Sequence, residues 1–61
     1  MREGNRYTFA KSGVEFIVYS VDGNTLKCQE IENGITVSKI FVMPRYELQD
    51  KLKKKLVSLV V

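Results

Sequence analysis

Short runs of hydrophobic and β-branched residues, separated by turn residues, cover the first two thirds of the chain. The strongest turn signal is Asn33-Gly34, a pair that suits the two positive φ angles of a type I′ turn. Residues 22–24 (Asp-Gly-Asn) and 11–13 (Lys-Ser-Gly) supply two further turns. The runs between the turns are rich in residues that favour strands. The pattern predicts an antiparallel meander of four strands, over residues 6–10, 14–21, 25–32 and 35–42.

Alternation in the last two of these strands predicts one dry and one wet face. A two-residue loop at Asn33-Gly34 pairs Glu32 with Ile35, which fixes the faces of both strands. The dry face carries Leu26, Cys28, Val37 and Phe41, and the wet face carries Thr25, Lys27, Gln29, Thr36 and Ser38. Glu30 and Lys39 fall on the dry side, so either they form an ion pair at its rim or a β-bulge re-aims them.

The strand over residues 14–21 is apolar on both faces, and its register stays open. A three-residue turn at residues 22–24 would place Phe16 and Val18 on the side of Leu26 and Cys28, whereas a two-residue turn would place Ile17 and Tyr19 there. A long bent strand that serves the core with each half in turn is one explanation. The other is an apolar patch left exposed for a partner.

The period changes after Met43. Pro44 suits a first helical turn, acidic residues come early and lysines late, and leucines recur every fourth residue at Leu48, Leu52 and Leu56. These signals predict a helix over residues 44–55. Residues 57–61 are mostly β-branched, and Val57 would lie opposite the leucines if the helix continued, so we expect a short closing strand.

Together these elements predict a mainly β fold with one short helix. The order of a four-strand meander, a helix and a short closing strand resembles a small antiparallel, SH3-like, partly open barrel, with residues 1–61 as a single domain. The resemblance covers element order over the whole chain, involves no diagnostic motif and implies no family function.

Composition narrows the possible functions. A chain of 61 residues with 44% hydrophobic content can bury one small core and hardly an enclosed substrate pocket as well. It has no His and no Trp, and it has one Cys, which excludes a histidine triad, a disulfide framework and a zinc site of the usual ligands. We therefore expect no enzyme, no cofactor, no metal and no small-molecule substrate.

The net charge of +3 comes from the last third of the chain. Residues 1–44 carry five basic and five acidic side chains, whereas residues 45–61 carry five basic and two acidic ones. The polar N-terminus is unlike a secretory signal, and no apolar run approaches the roughly 18 residues of a membrane span. With the lone Cys28 interpreted as a small buried hydrophobe, we expect a soluble cytoplasmic protein that does not bind membranes.

Two surfaces are candidates for function. Contact with a protein partner, or with a second copy, would involve apolar and aromatic residues beside basic ones: Ile17, Tyr19, Lys27, Arg45 and Tyr46. The alternative is a small nucleic-acid binder that uses the lysines of the helix: Lys51, Lys53, Lys54 and Lys55. Against the alternative, Glu47 with Lys51 and Asp50 with Lys54 form i,i+4 pairs that would occupy two of these lysines.

The closing strand leaves a further question open. It either pairs within its own sheet or reaches a neighbouring molecule and makes an oligomer. Taken together, the residues predict a non-enzymatic binding or regulatory module of the kind found among small accessory proteins of bacteria, phages or mobile elements, and they do not name its partner.

Overall fold

A computed structural model describes residues 2–60 as one antiparallel sheet with a short helix. The elements are β1 (Arg6–Phe9), β2 (Glu15–Asp22), β3 (Thr25–Glu32), β4 (Ile35–Pro44), α1 (Arg45–Lys53) and β5 (Val57–Val60). The strands lie in the order β4-β3-β2-β1-β5, so β4 and β5 are the edges and the sheet is not closed into a barrel. The predicted mainly β fold, with a helix before the closing strand, is confirmed. Of the strand expected over residues 57–61, Val61 lies outside the described residues.

The core lies on one face of the sheet, and α1 covers it. Its buried members come from all six elements: Tyr7, Phe16, Val18, Leu26, Cys28, Met43, Leu48 and Val57. Phe16 is fully buried at the centre of an aromatic cluster, with ring centroids 5.5 Å from Tyr7, 5.0 Å from Phe9 and 5.3 Å from Phe41. Each such buried side chain contributes about 1.5–3 kcal/mol, so Phe16 and Leu48 hold the sheet and the helix together.

The hairpin between β3 and β4 has the predicted type I′ turn, with φ of 53° at Asn33 and 79° at Gly34. Glu32 pairs with Ile35 as expected. After one further pair the register shifts, because Ile31 lies opposite Thr36 whereas Gln29 lies opposite Ile40.

The shift leaves residues 37–39 of β4 opposite Glu30 alone, and we call this insertion the β4 bulge. Gln29 Nε2 donates a hydrogen bond of 2.7 Å to the carbonyl oxygen of Val37 and closes the bulge. Of the two expectations for Glu30 and Lys39, the bulge is therefore right and the rim ion pair is wrong. The insertion adds two residues, so it preserves alternation, and Phe41 still shares the core face with Leu26 and Cys28. Val37 is half-buried, within the bulge.

A second bulge sets the register of β2, which the sequence left open. Asp22 pairs with Thr25, so the loop has two residues, Gly23 and Asn24, and Gly23 takes the positive φ of 60° that this turn requires. Such a loop should have turned Ile17 and Tyr19 toward the core. That expectation is wrong because the register shifts between Val18 and Ser20.

The extra residue in β2 is Tyr19, which we call the β2 bulge. Val18 pairs with Cys28, and Ser20 pairs with Lys27, so Tyr19 and Ser20 together oppose Lys27. One inserted residue inverts the alternation. As a result Val21 faces the core on one side of Tyr19, and Phe16 and Val18 face it on the other.

Helix α1 is shorter than the predicted 44–55. Pro44, with φ −63° and ψ 145°, is the last residue of β4 and the N-cap of α1. Leu48 is fully buried and Leu52 packs against the core, but Leu56 is half exposed because the helix has already ended at Lys53. The expected stripe of three leucines is therefore wrong at its third member.

A Schellman motif ends the helix. The N–H of Leu56 donates to the carbonyl of Lys51 at 2.9 Å, and the N–H of Lys55 donates to that of Leu52 at 3.1 Å. Lys55 occupies the left-handed position of the motif, with φ 60°, where glycine is usual. The turn directs the chain into β5, whose Val57 is buried and which pairs with β1 of the same chain.

Candidate binding surface

We call the side of the sheet opposite the core the outer face. Directly paired residues of neighbouring strands share a face, so the pairing defines its rows. One row is Val42, Lys27 and Ser20, with Tyr19 beside Ser20, and the next is Ile40, Gln29, Ile17, Arg6 and Val60. The outer face thus carries apolar side chains on β4 and β2 with a lysine between them.

Strand β4 carries three of the exposed large apolar side chains. Ile40 is 58% exposed and Val42 is 60% exposed, both on the outer face, and Ile35 is exposed at the hairpin turn. By contrast Phe41 and Met43, which alternate with them, face the core. Both faces of this strand are therefore apolar, although only one of them is covered.

The free edge of β4 also presents backbone groups. The N–H of Arg45 donates to the carbonyl of Asn24 at 2.7 Å, which marks these two residues as a hydrogen-bonded pair. Because such pairs alternate in an antiparallel ladder, Met43 and Phe41 also bond to β3. The intervening residues Ile40, Val42 and Pro44 direct their backbone groups away from the sheet. Pro44 has no N–H, and this outward position is where a strand tolerates proline.

The sequence-derived partner candidates Ile17, Tyr19 and Lys27 lie together on the outer face. Ile17 is half-buried between Arg6 and Gln29, and Tyr19 is 42% exposed at the β2 bulge. Lys27 is exposed between Ser20 and Val42. The β2 bulge brings Tyr19 to Lys27, so these side chains form one patch although they come from different strands.

Arg45 and Tyr46, the other two partner candidates, lie at the end of the outer face, where β4 meets α1. A shallow pocket of about 400 Å³ is lined there by Asn24, Thr25, Pro44, Arg45, Tyr46 and Gln49. Tyr46 is 72% exposed. The Arg45 side chain is half-buried, and its Nε has no hydrogen-bond partner within residues 2–60. This pocket adjoins the outer face through Thr25, which pairs with Pro44 two residues from Lys27.

The nucleic-acid candidates surround the C-terminal end of α1. Lys51 is half-buried, and Lys53, Lys54 and Lys55 are exposed. In the part of the chain that the structure describes, the one ion pair joins Lys54 Nζ to Asp50 Oδ2 at 3.1 Å, and the expected pair of Glu47 with Lys51 is not formed. Exposed pairs of this kind contribute about 0–1 kcal/mol, so these lysines remain available to an anionic partner.

Cys28 is a buried free thiol between Val18 and Phe41. Burial raises its pKa from 9.0 to about 11, because the thiolate would lose its hydration. The thiol therefore stays protonated at neutral pH and packs as a small hydrophobe, as the sequence suggested. No cluster of three or more His, Cys, Asp or Glu side chains able to hold a metal occurs among the described residues.

Sequence reasoning did not single out Ile40 and Val42 as binding residues. A signal was present, since residues 40–43 are apolar without alternation, as in the strand over residues 14–21. In such a run, apolar side chains lie on both faces of the strand. One face packs on the core, and the other is either covered by something outside the sheet or exposed to solvent.

Comparison of the chain with protein-family models, with curated proteins and with solved structures finds no match to any of them. Across residues 2–60, no helix is long and apolar enough to cross a lipid bilayer. Function is therefore inferred from the geometry of the surface.

Proposed function

We propose that the protein is a non-enzymatic binding module that acts through protein–protein contact at the outer face of its sheet. The observation that carries the proposal is the patch formed by Ile40, Val42 and Tyr19 around Lys27, beside the free edge of β4. Contiguous exposed apolar side chains rimmed by polar ones are typical of interaction sites. A free edge in addition offers backbone groups for strand addition.

Lys27 sets the chemistry of the partner. It is the charged residue at the middle of the patch, and Arg6 lies in the next row. A partner segment that places apolar side chains on Ile40 and Val42 and a carboxylate near Lys27 would satisfy both parts of the surface. Because charge complementarity mostly sets association rate and specificity, the apolar contacts would supply most of the affinity.

Affinity capture from native cells with two matched baits tests the proposal. One bait carries Tyr19→Ala with Lys27→Glu, both on the patch. The control carries Leu59→Ala with Lys11→Glu, which make the same kinds of change at exposed positions away from it. We expect the patch variant to lose its specific partner by about tenfold or more, since an anchoring contact contributes about 1.4 kcal/mol or more. Equal capture by both baits would remove the patch as the binding site.

The basic end of α1 supports a second candidate, a small nucleic-acid-binding protein. Lys53 and Lys55 are exposed, and the ion pair of Lys54 is solvent-screened. The matched variants are Lys53→Glu with Lys55→Glu and, as control, Lys11→Glu with Lys39→Glu, which change the net charge equally. Specific use of the helix end predicts that only the first pair abolishes retention on single-stranded DNA and flattens its salt dependence. Equal losses would indicate a nonspecific charge effect.

The proposal places the module in the cytoplasm, where reduced thiols such as that of Cys28 persist. The resemblance to SH3-like barrels remains one of element order, and no binding residue is carried over from it.

A further inference from the structure

We propose that the free edge of β4 pairs with the same edge of a second copy, antiparallel and about a two-fold axis at Phe41. The inference rests on the proposed function and names one partner for that surface. In this arrangement Ile40 of each copy lies opposite Val42 of the other, and the two Phe41 residues lie opposite each other.

The backbone of β4 is self-complementary in this register. Ile40 and Val42 both direct N–H and C=O away from β3, because Phe41 between them is hydrogen-bonded to Cys28. When Ile40 pairs with Val42 of the second copy in an antiparallel ladder, the outward N–H and C=O groups of the two residues face each other. The two symmetry-related pairs then make four backbone hydrogen bonds, and no outward donor of either residue is left unpaired.

The side chains agree with the backbone. The same pairing brings Ile40 and Val42 of both copies together as four β-branched side chains, at present 58% and 60% exposed. Cross-strand pairs of this type stabilise sheets. Lys27 lies beside Val42 on the outer face. In the dimer this row of side chains is extended by Ile40 and Gln29 of the second copy, so no like charges lie directly opposite each other.

The length of the edge limits what can bind. The β4 bulge disrupts the strand on one side, and Pro44 removes a donor on the other, so the regular edge is short and symmetric about Phe41. A longer peptide would meet the bulge or the proline, whereas a second copy presents an edge of matching length. An edge of so few residues is smaller than the roughly 20–30 residues a side of a stable specific interface, so we expect the dimer to be transient and concentration-dependent.

Sedimentation velocity from about 10 μM to about 1 mM, where weak interfaces assemble, tests the inference. The wild-type chain should shift from monomer to dimer across this range. Val42→Lys should weaken the dimer at least about tenfold by placing a charge in the contact, while Leu59→Lys, at the opposite edge, should leave it within about twofold. Circular dichroism of each variant confirms that both remain folded.

Mixing experiments test the register. Ile40→Lys in one chain and Val42→Asp in the other place opposite charges face to face, so the mixture should dimerise although each variant alone is monomeric. Val42→Lys mixed with Val42→Asp should not, because these positions do not meet. A wild-type monomer at about 1 mM, where even weak edge pairs assemble, or a dimer lost with Leu59→Lys instead, would overturn self-pairing. Rescue by the second mixture would overturn the register. The capture experiment with Tyr19 and Lys27 judges the broader binding function separately.

Discussion

The two bulges of the sheet differ by one residue, and that difference decides which side chains reach the core. The β2 bulge inserts Tyr19 alone and inverts the alternation of β2, so that Val18 and Val21 both face inward. The β4 bulge inserts two residues and leaves the alternation of β4 unchanged, so that Phe41 faces inward as it would in a regular hairpin.

The comparison shows that the parity of an insertion matters more than its size. A side chain in a strand has two possible faces, so an odd insertion exchanges them and an even one restores them. The β2 bulge therefore lets odd- and even-numbered residues of one strand face the same core, whereas the β4 bulge changes only the shape and length of an edge.

Deletion of Ile17 is expected to have the largest effect. It leaves as many residues between Phe16 and Val21 as β3 has opposite them, so a regular ladder forms in which Val18 faces outward and Tyr19 faces the core. Loss of a buried aliphatic side chain costs about 2–5 kcal/mol, a large part of the stability of so small a domain, and thermal unfolding followed by circular dichroism measures it. Deletion of Tyr19 removes the bulge itself, keeps Phe16, Val18 and Val21 facing the core and should cost under about 1 kcal/mol. Equal losses for the two deletions would contradict this account of the bulge.

In β4, removal of the inserted residues should be tolerated. Removal of Ser38 with Lys39 leaves a regular ladder, in which Glu30 pairs with Val37 and Cys28 still pairs with Phe41. Removal of Ser38 alone leaves two residues opposite Glu30, a bulge of the same size as that in β2, and Phe41 still faces the core. We expect a loss in the free energy of unfolding of about 1 kcal/mol or less for each variant, measured by urea denaturation. A loss of more than about 3 kcal/mol for either variant would show that the core depends on the β4 bulge.

A similar effect is expected when the hydrogen bond that closes the β4 bulge is removed. Gln29→Ala deletes the donor to the Val37 carbonyl and should cost about 1 kcal/mol. Amide hydrogen exchange should accelerate at residues 37–39 and stay unchanged in the turn at Asn33-Gly34. Gln49→Ala, at an exposed position of α1, is the matched control, and a similar loss of stability there would show that the hydrogen bond contributes nothing.

A further effect is confined to alkaline solution. Cys28 pairs with Val18 and Phe41, between the two bulges, and burial raises its pKa from 9.0 to about 11. Because the pKa is raised in the folded state, the thiol of the unfolded chain loses its proton at a lower pH. The stability contributed by the buried neutral thiol is therefore complete below pH 9 and is lost as the pH approaches 11.

The difference in unfolding free energy between wild type and Cys28→Ala, followed against pH, isolates the contribution of this thiol. The wild-type advantage should shrink from pH 9 upward. A constant difference up to pH 11 would show that the folded and unfolded thiols have the same pKa.

Most elements could be predicted from sequence because their signals are local. The type I′ turn requires two positive φ angles, and Asn33-Gly34 is a pair that accepts them. The bulges have no such signature, since Tyr19, Ser38 and Lys39 are ordinary strand or surface residues. The end of α1 was also missed, because the leucine spacing continues past Lys53 and no glycine marks the stop.

Part of the candidate site could be predicted, and the remainder depends on contacts distant in sequence. Tyr19 and Lys27 were candidates from the sequence, but the β2 bulge that makes them neighbours has no sequence signature. Ile40 and Val42 become a free edge only because β5 pairs with β1 and leaves β4 outermost, and no local pattern in β4 encodes that choice.

Lys55 adds a positive charge at a backbone position where glycine would be more stable. Its left-handed backbone, in the turn that it forms with Leu52, costs about 1 kcal/mol that glycine would not. Lys55→Gly would give a more stable domain with a less basic end of α1. Lys55 therefore lowers the stability of the domain and adds a positive charge to the surface beside Lys53 and Lys54.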